Sequence, residues 1–160
     1  MLKKYDDEDF NMANIMQYEL KNYVEANRLY LKVIASKPNF IDALNNHAQN
    51  LRLNFKNYDE AIKFYTKVID INPLFENAYF RRGICKGSLN DLIGQIEDYS
   101  RNIEINKPRA DAFISRALIS FKAGKYEDVI RDCRIAIELG GKNEVADGLI
   151  ISSENKIKKS

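Results

Sequence analysis

Turn-forming and cross-linking residues are scarce in this chain of 160 residues, which holds seven Gly, three Pro, two Cys and no Trp. Sandwiches and barrels close hairpin after hairpin with Gly, Asn-Gly and Pro, so this supply excludes them and leaves helix as the default. Cys85 and Cys133 lie far apart with no C-x-x-C, giving neither a disulfide framework nor a zinc knuckle and fitting a reducing compartment. No apolar run reaches the ~18 residues of a spanning helix. Met1-Leu2-Lys3-Lys4 meets Tyr5-Asp6-Asp7-Glu8-Asp9 where a signal peptide would turn apolar, so no membrane association and a cytoplasmic location are expected. Excess charge of one sign is missing too. Twenty-five Lys and Arg against 23 Asp and Glu leave a net charge of +2, too little positive field for nucleic acid to be the expected partner. With 45% hydrophobic and 30% charged residues, the chain is expected to fold as a soluble protein.

What is present is a repeat. The prolines stand at 38, 73 and 108, two equal steps of 35. Each follows similar wording: Lys32-Val33-Ile34, Lys67-Val68-Ile69-Asp70-Ile71-Asn72 and Asn102-Ile103-Glu104-Ile105-Asn106. Upstream, Leu20-Lys21-Asn22-Tyr23-Val24-Glu25-Ala26 is echoed by Phe55-Lys56-Asn57-Tyr58-Asp59-Glu60-Ala61. A period in this range signals stacked supersecondary units. Apolar residues within it recur at helical spacing, as in Tyr58, Ala61, Ile62, Tyr65, Val68 and Ile69. Asn22 and Asn57, each with Glu three residues on, are N-cap candidates in capping-box spacing, and the prolines separate one period from the next. The spacing predicts helices over 6–19, 23–36, 41–54, 58–71, 75–88, 92–105, 109–122, 126–139 and 143–157. Gly140-Gly141 closes the eighth, and the ninth is expected to cap the array with a polar face of Ser152, Ser153, Glu154, Asn155 and Lys156.

The run Tyr58-Asp59-Glu60-Ala61-Ile62-Lys63-Phe64-Tyr65-Thr66-Lys67-Val68-Ile69-Asp70-Ile71-Asn72-Pro73 resembles the second helix of a tetratricopeptide repeat, and Ala78-Tyr79-Phe80-Arg81-Arg82-Gly83 resembles the opening of its first. The resemblance implies an all-α fold, a right-handed superhelical solenoid of antiparallel helix pairs. It divides a single domain of 6–160 into repeats of about 6–40, 41–75, 76–109 and 110–142 with a capping helix over 143–157. Packing chemistry agrees. Ala13, Ala48, Gly83 and Ala117 let the first helix of each pair approach closely, as Ala26 and Ala61 do from the second. Tyr30, Tyr65, Tyr99 and then Cys133 fill the matching large position, followed by Val33, Val68 and Ala136. The third repeat departs: Gln95 and Asn102 stand at expected apolar positions and Leu92-Ile93-Gly94 replaces the capping wording, so looser packing is expected there. The first two repeats carry one extra residue, which is placed in the turn near Lys21 and Lys56. That register puts Met12, Ala13 and Met16 inside and leaves Asn11 and Asn14 free, avoiding burial of Asn14 and Gln17.

The inventory for catalysis is poor, and no enzyme activity, cofactor or metal is expected. His47 is the only histidine and falls mid-helix at a packing position, so no triad is available. A zinc site would have to gather His47, Cys85 and Cys133 from three repeats, and Gly140-Gly141 lacks a phosphate-loop context. Asp6-Asp7-Glu8-Asp9 lacks the alternation of a calcium loop and reads as charge against a helix dipole; Lys156-Ile157-Lys158-Lys159 reads as a cationic helix end.

The family resemblance implies binding of a protein or peptide in a concave groove lined by first helices. The outward faces of those helices give Phe10, Asn11, Asn14, Gln17 and Tyr18; Asn45, Asn46, Gln49, Arg52 and Leu53; Asn77, Phe80, Arg81 and Ile84; and Ile114, Ser115, Leu118 and Phe121. The early part is rich in amides and the later part apolar, suiting a segment with one polar and one apolar end. Chaperone-binding members hold a terminal carboxylate with two Lys, two Asn and one Lys or Arg. Asn14, Asn46 and Arg81 match three of these positions, while Phe10 and Asn77 replace the lysines, so an incomplete carboxylate clamp is the alternative reading.

Overall fold

The computed structural model describes residues 7–140 and 143–159, and among them every regular element is helical. The elements are α1 (Glu8–Asn14) continuing into a π turn (Ile15–Glu19), α2 (Tyr23–Ser36), α3 (Ile41–Asn50) with a π turn (Leu51–Phe55), α4 (Tyr58–Ile71), α5 (Glu76–Ser88), α6 (Leu92–Ile105), α7 (Ala110–Lys122), α8 (Tyr126–Gly140) and α9 (Glu144–Ile157). These are the helices the spacing predicts, to within two residues at each described end; Asp6 and Gly141 lie outside the described residues. None is long and apolar enough to cross a membrane.

The chain forms two compact units, 1–85 and 86–160, each with its own core. In the first, Phe10, Ala13, Ala26, Leu29, Tyr30, Val33 and Ala43 form one cluster, with Met16, Ile34 and Phe40 packed against it. In the second, Ala117, Val129, Cys133 and Ala146 are enclosed by Ile114, Phe121, Ile137, Leu149 and Ile150. All the small and large positions paired above, from Ala13 and Tyr30 to Ala117 and Cys133, are buried.

Local signals act largely as expected. Asn22 accepts from the Glu25 amide at 3.2 Å and Asn57 from the Glu60 amide at 3.3 Å. The reciprocal half of the capping box does not form. The Asn22 amide donates instead to the Met16 carbonyl at 2.7 Å and the Asn57 amide to the Leu51 carbonyl at 3.0 Å, so Glu25 and Glu60 turn to Arg28 and Lys63. Asp91 supplies the cap missing from the third repeat's wording, accepting from the Gly94 amide at 2.8 Å. The buried Gln95 amide occupies the space a side chain at Gly87 would need, since a Cβ there would lie 2.2 Å from Gln95 Oε1.

The extra residue of the first two repeats is not in the turn. Lys21, Lys56, Asn90 and Gly124 all adopt the left-handed conformation two residues before α2, α4, α6 and α8, so the turn is alike before each of these helices. Repeats one and two take up the additional residue as the π turns over Ile15–Glu19 and Leu51–Phe55, where one wider turn adds length without shifting the helix before it. The register of α1 is therefore the ungapped one. Phe10, Ala13, Asn14 and Gln17 face inward at i, i+3, i+4, i+7, and Met12 is exposed, while Met16 is partly buried as expected.

The last helix also departs from expectation. Ser153 is buried, and the exposed side chains of α9 include Val145 and Ile151 beside Ser152, Asn155 and Lys156, so its outer surface is mixed.

Candidate functional site

Phe10, assigned above to a ligand-facing surface, is fully buried. Its ring packs 4.8 Å from Phe40 and 6.0 Å from Tyr30, because an aromatic ring gains more from the core than an exposed position offers. Asn14 is buried as well, and its amide oxygen is satisfied. Tyr30 Oη donates to Asn14 Oδ1 at 2.8 Å and Asn46 Nδ2 donates to the same oxygen at 2.9 Å. For Asn14 the desolvation cost that argues against this register is met by partners from two other helices, whereas Gln17 Oε1 is enclosed without a hydrogen-bond partner. Tyr30→Phe is expected to cost about 1 kcal/mol by stripping Asn14 of one donor, measured by urea unfolding; an unchanged midpoint would show the bond contributes nothing.

The network continues. Asn45 Nδ2 donates to Asn46 Oδ1 at 3.3 Å, and Arg81 Nη1 donates to Asn45 Oδ1 at 2.9 Å. A chain of contacts thus joins Arg81 on α5, Asn45 and Asn46 on α3, Asn14 on α1 and Tyr30 on α2, all in the first unit. Asn45 is buried by this arrangement, so it positions Arg81 and is not open to a ligand. Asn11, Asn46, Gln49, Arg52, Arg81 and Ile84 are partly buried, whereas Asn77, Tyr18, Leu53 and Phe80 are exposed. Tyr18 lies in the field of Arg81, although burial outweighs that cation and raises its phenol pKa.

Beside this network stands a second group. Tyr65 is fully buried, and neither its hydroxyl nor Arg52 Nε has a hydrogen-bond partner. Burial pushes the Tyr65 phenol up to about 12; Arg52 opposes this most strongly and Arg81 next. Among the described residues, neither Arg52 nor Arg81 has a carboxylate in ion-pair range. Sequence reasoning gives Tyr65 a packing role only. Its missed signal is the position 35 residues after Tyr30, with Arg52 standing 35 after Gln17.

The apolar candidates on α7 belong to the second unit. Ile114 and Phe121 pack on its core, Phe121 edge-on to Tyr126 at 5.6 Å, so they serve the fold; Leu118 is exposed and Ser115 donates to the Asp111 carbonyl at 2.8 Å. His47 is buried against the edge of Phe64 at 4.3 Å. Burial raises the thiol pKa of Cys85 and Cys133 to about 11 each, a range in which neither is a ready nucleophile. Among the described residues no three His, Cys, Asp or Glu side chains cluster as a metal site.

The tetratricopeptide repeat family model matches residues 41–73, which span α3, its π turn and α4. A search of the curated proteins found no match. Several solved structures are similar. Part of MamA from Desulfovibrio magneticus RS-1 is 17% identical with a TM-score of 0.72, covering 97% of this chain and 94% of its own. The first tetratricopeptide repeat domain of Spaghetti (RPAP3), bound to the HSP90 peptide SRMEEVD, is 21% identical with a TM-score of 0.61, covering 74% of this chain and 93% of its own. YrrB, a tetratricopeptide repeat protein with an unusual peptide-binding site, is 15% identical with a TM-score of 0.63, covering 81% and 68%. At these identities the likeness is one of fold, the all-α helical solenoid of tetratricopeptide repeat proteins.

Proposed function

We propose that this tetratricopeptide-repeat chain is a non-catalytic, cytoplasmic adaptor that binds a peptide or a partner's segment on the face of its first helices. Arg81 carries the reading. Its guanidinium is fixed by Asn45 at 2.9 Å, has no carboxylate partner among the described residues, and adjoins Phe80 in sequence, whose ring is 41% exposed. A positioned cation next to an accessible aromatic supplies both an orienting contact and an anchor, the pairing that dominates interface energetics. Two of the similar structures are described as peptide-binding, which supports the same use.

The test is affinity capture with the intact chain, followed by titration of the partner identified. Arg81→Ala and Phe80→Ala are each expected to weaken it about tenfold, with unchanged helical circular dichroism. Equal affinity in both variants would remove the site. The carboxylate-clamp reading is kept alive by Asn46 and Arg81, which share one hydrogen-bonded network, but Asn14 spends its carbonyl oxygen on Tyr30 and Asn46. That reading requires binding to vanish when the ligand's C-terminus is amidated; the groove reading tolerates amidation.

A further inference from the structure

The last helix differs from the others in packing and in charge. Ile151 stands 34 residues after Ala117, which follows Gly83 by 34, and Gly83 follows Ala48 by 35. In α3, α5 and α7 that position is small and buried, and Ala117 packs there with Val129 and Cys133 of α8. In α9 it holds a branched side chain that is 60% exposed. A helix seated on α9 as α8 is on α7 would meet Ile151 where the others have a methyl group or none, so the usual pairing does not fit. The charges are arranged differently too. α2, α4, α6 and α8 each close an ion pair three residues apart on their own surface, Glu25 with Arg28, Glu60 with Lys63, Arg101 with Glu104 and Asp128 with Arg131. In α9 the acids Glu144 and Asp147 stand in the first turn and Lys158 at the far end, about 21 Å from Glu144 at 1.5 Å per residue. They cannot reach one another, and none of the three joins an ion pair among the described residues.

Glu144, Asp147, Ile151, Asn155 and Lys158 recur at spacings of 3, 4, 4 and 3, which keeps them on one stripe of the helix, and all five are exposed. The stripe has a centre. Counted from Ile151, Glu144 and Lys158 lie seven residues to either side, and Asp147 and Asn155 four. A second α9 laid antiparallel across it, with Ile151 on the twofold axis, sets each Glu144 opposite the partner's Lys158 and each Asp147 opposite the partner's Asn155. Ile151 then meets its own copy and is shielded from water. A parallel pair would set glutamate on glutamate and lysine on lysine. Gly148 lies beside the stripe, and since a Cβ there would meet nothing within 4 Å, the two helices have room to approach. We propose that this face pairs with a second copy of the chain, α9 against α9, antiparallel about Ile151. The pairing does not depend on peptide binding. One helix face is at the small end of protein interfaces, so the dimer is weak, with a Kd on the order of 100 µM, and added salt opposes it.

Sedimentation equilibrium of the intact chain, from about 10 µM to about 1 mM, is expected to show monomer and dimer in exchange. Glu144→Lys and Lys158→Glu each place like charges opposite one another and are each expected to weaken the dimer about tenfold or more, as is Ile151→Asp. These side chains are exposed, so helical circular dichroism should not change. Mixing the Glu144→Lys chain with the Lys158→Glu chain makes both charge pairs opposite again, and a mixed dimer of parental strength is expected. Oxidation reads the orientation, since Cys85 and Cys133 are both buried. Ile151→Cys is expected to cross-link to its own copy. Glu144→Cys, about 21 Å from its copy across the axis, is expected to cross-link only when mixed with Lys158→Cys. A monomer throughout, a dimer indifferent to all three substitutions, or no gain on mixing the two charge variants would overturn the pairing. Glu144→Cys cross-linking to itself as readily as Ile151→Cys would overturn the antiparallel arrangement. Oligomers that keep growing with concentration would mean that the face meets a different surface of the second copy, which also overturns it.

Discussion

Asp132→Ala is expected to destabilise the chain by about 3–5 kcal/mol, the range for removing one partner of a buried ion pair. Asp132 is fully buried on α8, and Arg116 on α7 meets it with a two-pronged contact, Nε to Oδ2 and Nη2 to Oδ1, both at 2.7 Å. The arginine's third nitrogen donates to Ser100 Oγ at 2.9 Å, and its guanidinium lies over the Phe113 ring at 5.5 Å. Truncating the carboxylate leaves a cation whose side chain is only 14% exposed facing a cavity. Solvent cannot screen it, so the cost is mainly the charge left behind. For a chain this size the loss corresponds to a fall in Tm of roughly 10 °C or more. Thermal unfolding gives the size, and hydrogen exchange over 110–140 locates it. The double variant Arg116→Met, Asp132→Leu removes both charges and is expected to recover most of the loss, since apolar replacement of a buried pair is often neutral. A loss below about 1 kcal/mol in the single variant would mean water reaches the guanidinium.

Asp132 also shows where the sequence is hard to read. Prolines at 38, 73 and 108 and the helical spacing between them locate the helices because both signals are local, each acting within a few residues. Asn14 reads as a surface residue when its polarity is weighed alone. Its partners, Tyr30 and Asn46, lie 16 and 32 residues away, and nothing in α1 announces them. The same holds for Asp132 and Arg116, 16 apart on different helices. Periodicity offers a partial clue, since Arg82 bonds Thr66 as Arg116 bonds Ser100, the second pair set 34 residues after the first. The period of 35 in the first two repeats shows that one residue is added. It does not say whether a loop or a helix holds it, and a π turn leaves no mark in the hydrophobic pattern before it. Of the candidate surface, the exposure of Phe80 was legible, whereas the inward faces of Phe10 and Asn14 depended on that hidden choice and the burial of Asn45 on its contact with Arg81, distant in sequence.

Stability should fall as the pH drops from about 6.5 to about 4, with a contribution of roughly 3 kcal/mol from His47 alone. Burial is the main cause, disfavouring the charged imidazolium and depressing the pKa from 6.5 to about 4, while Glu60 pulls weakly the other way. The ring is edge-on to Phe64 at 4.3 Å, and Nδ1 is enclosed without a partner, so an added proton there would find no acceptor. The folded state therefore binds fewer protons than the unfolded one between the two pKa values. The stabilisation is complete above about 6.5 and is lost progressively towards 4. Carboxylates contribute their own acid dependence, Asp7 among them because its bond to Lys37 lowers its pKa, so the His47 share is isolated by difference. His47→Leu keeps the apolar packing and removes the titration, and its stability should fall less steeply over that window than the parent chain's. Because His47 is the only histidine, its ring proton resonance follows the same event directly. A midpoint near 6.5 in the folded chain, or parallel stability curves for parent and variant, would place the imidazole in contact with water and remove its coupling to folding.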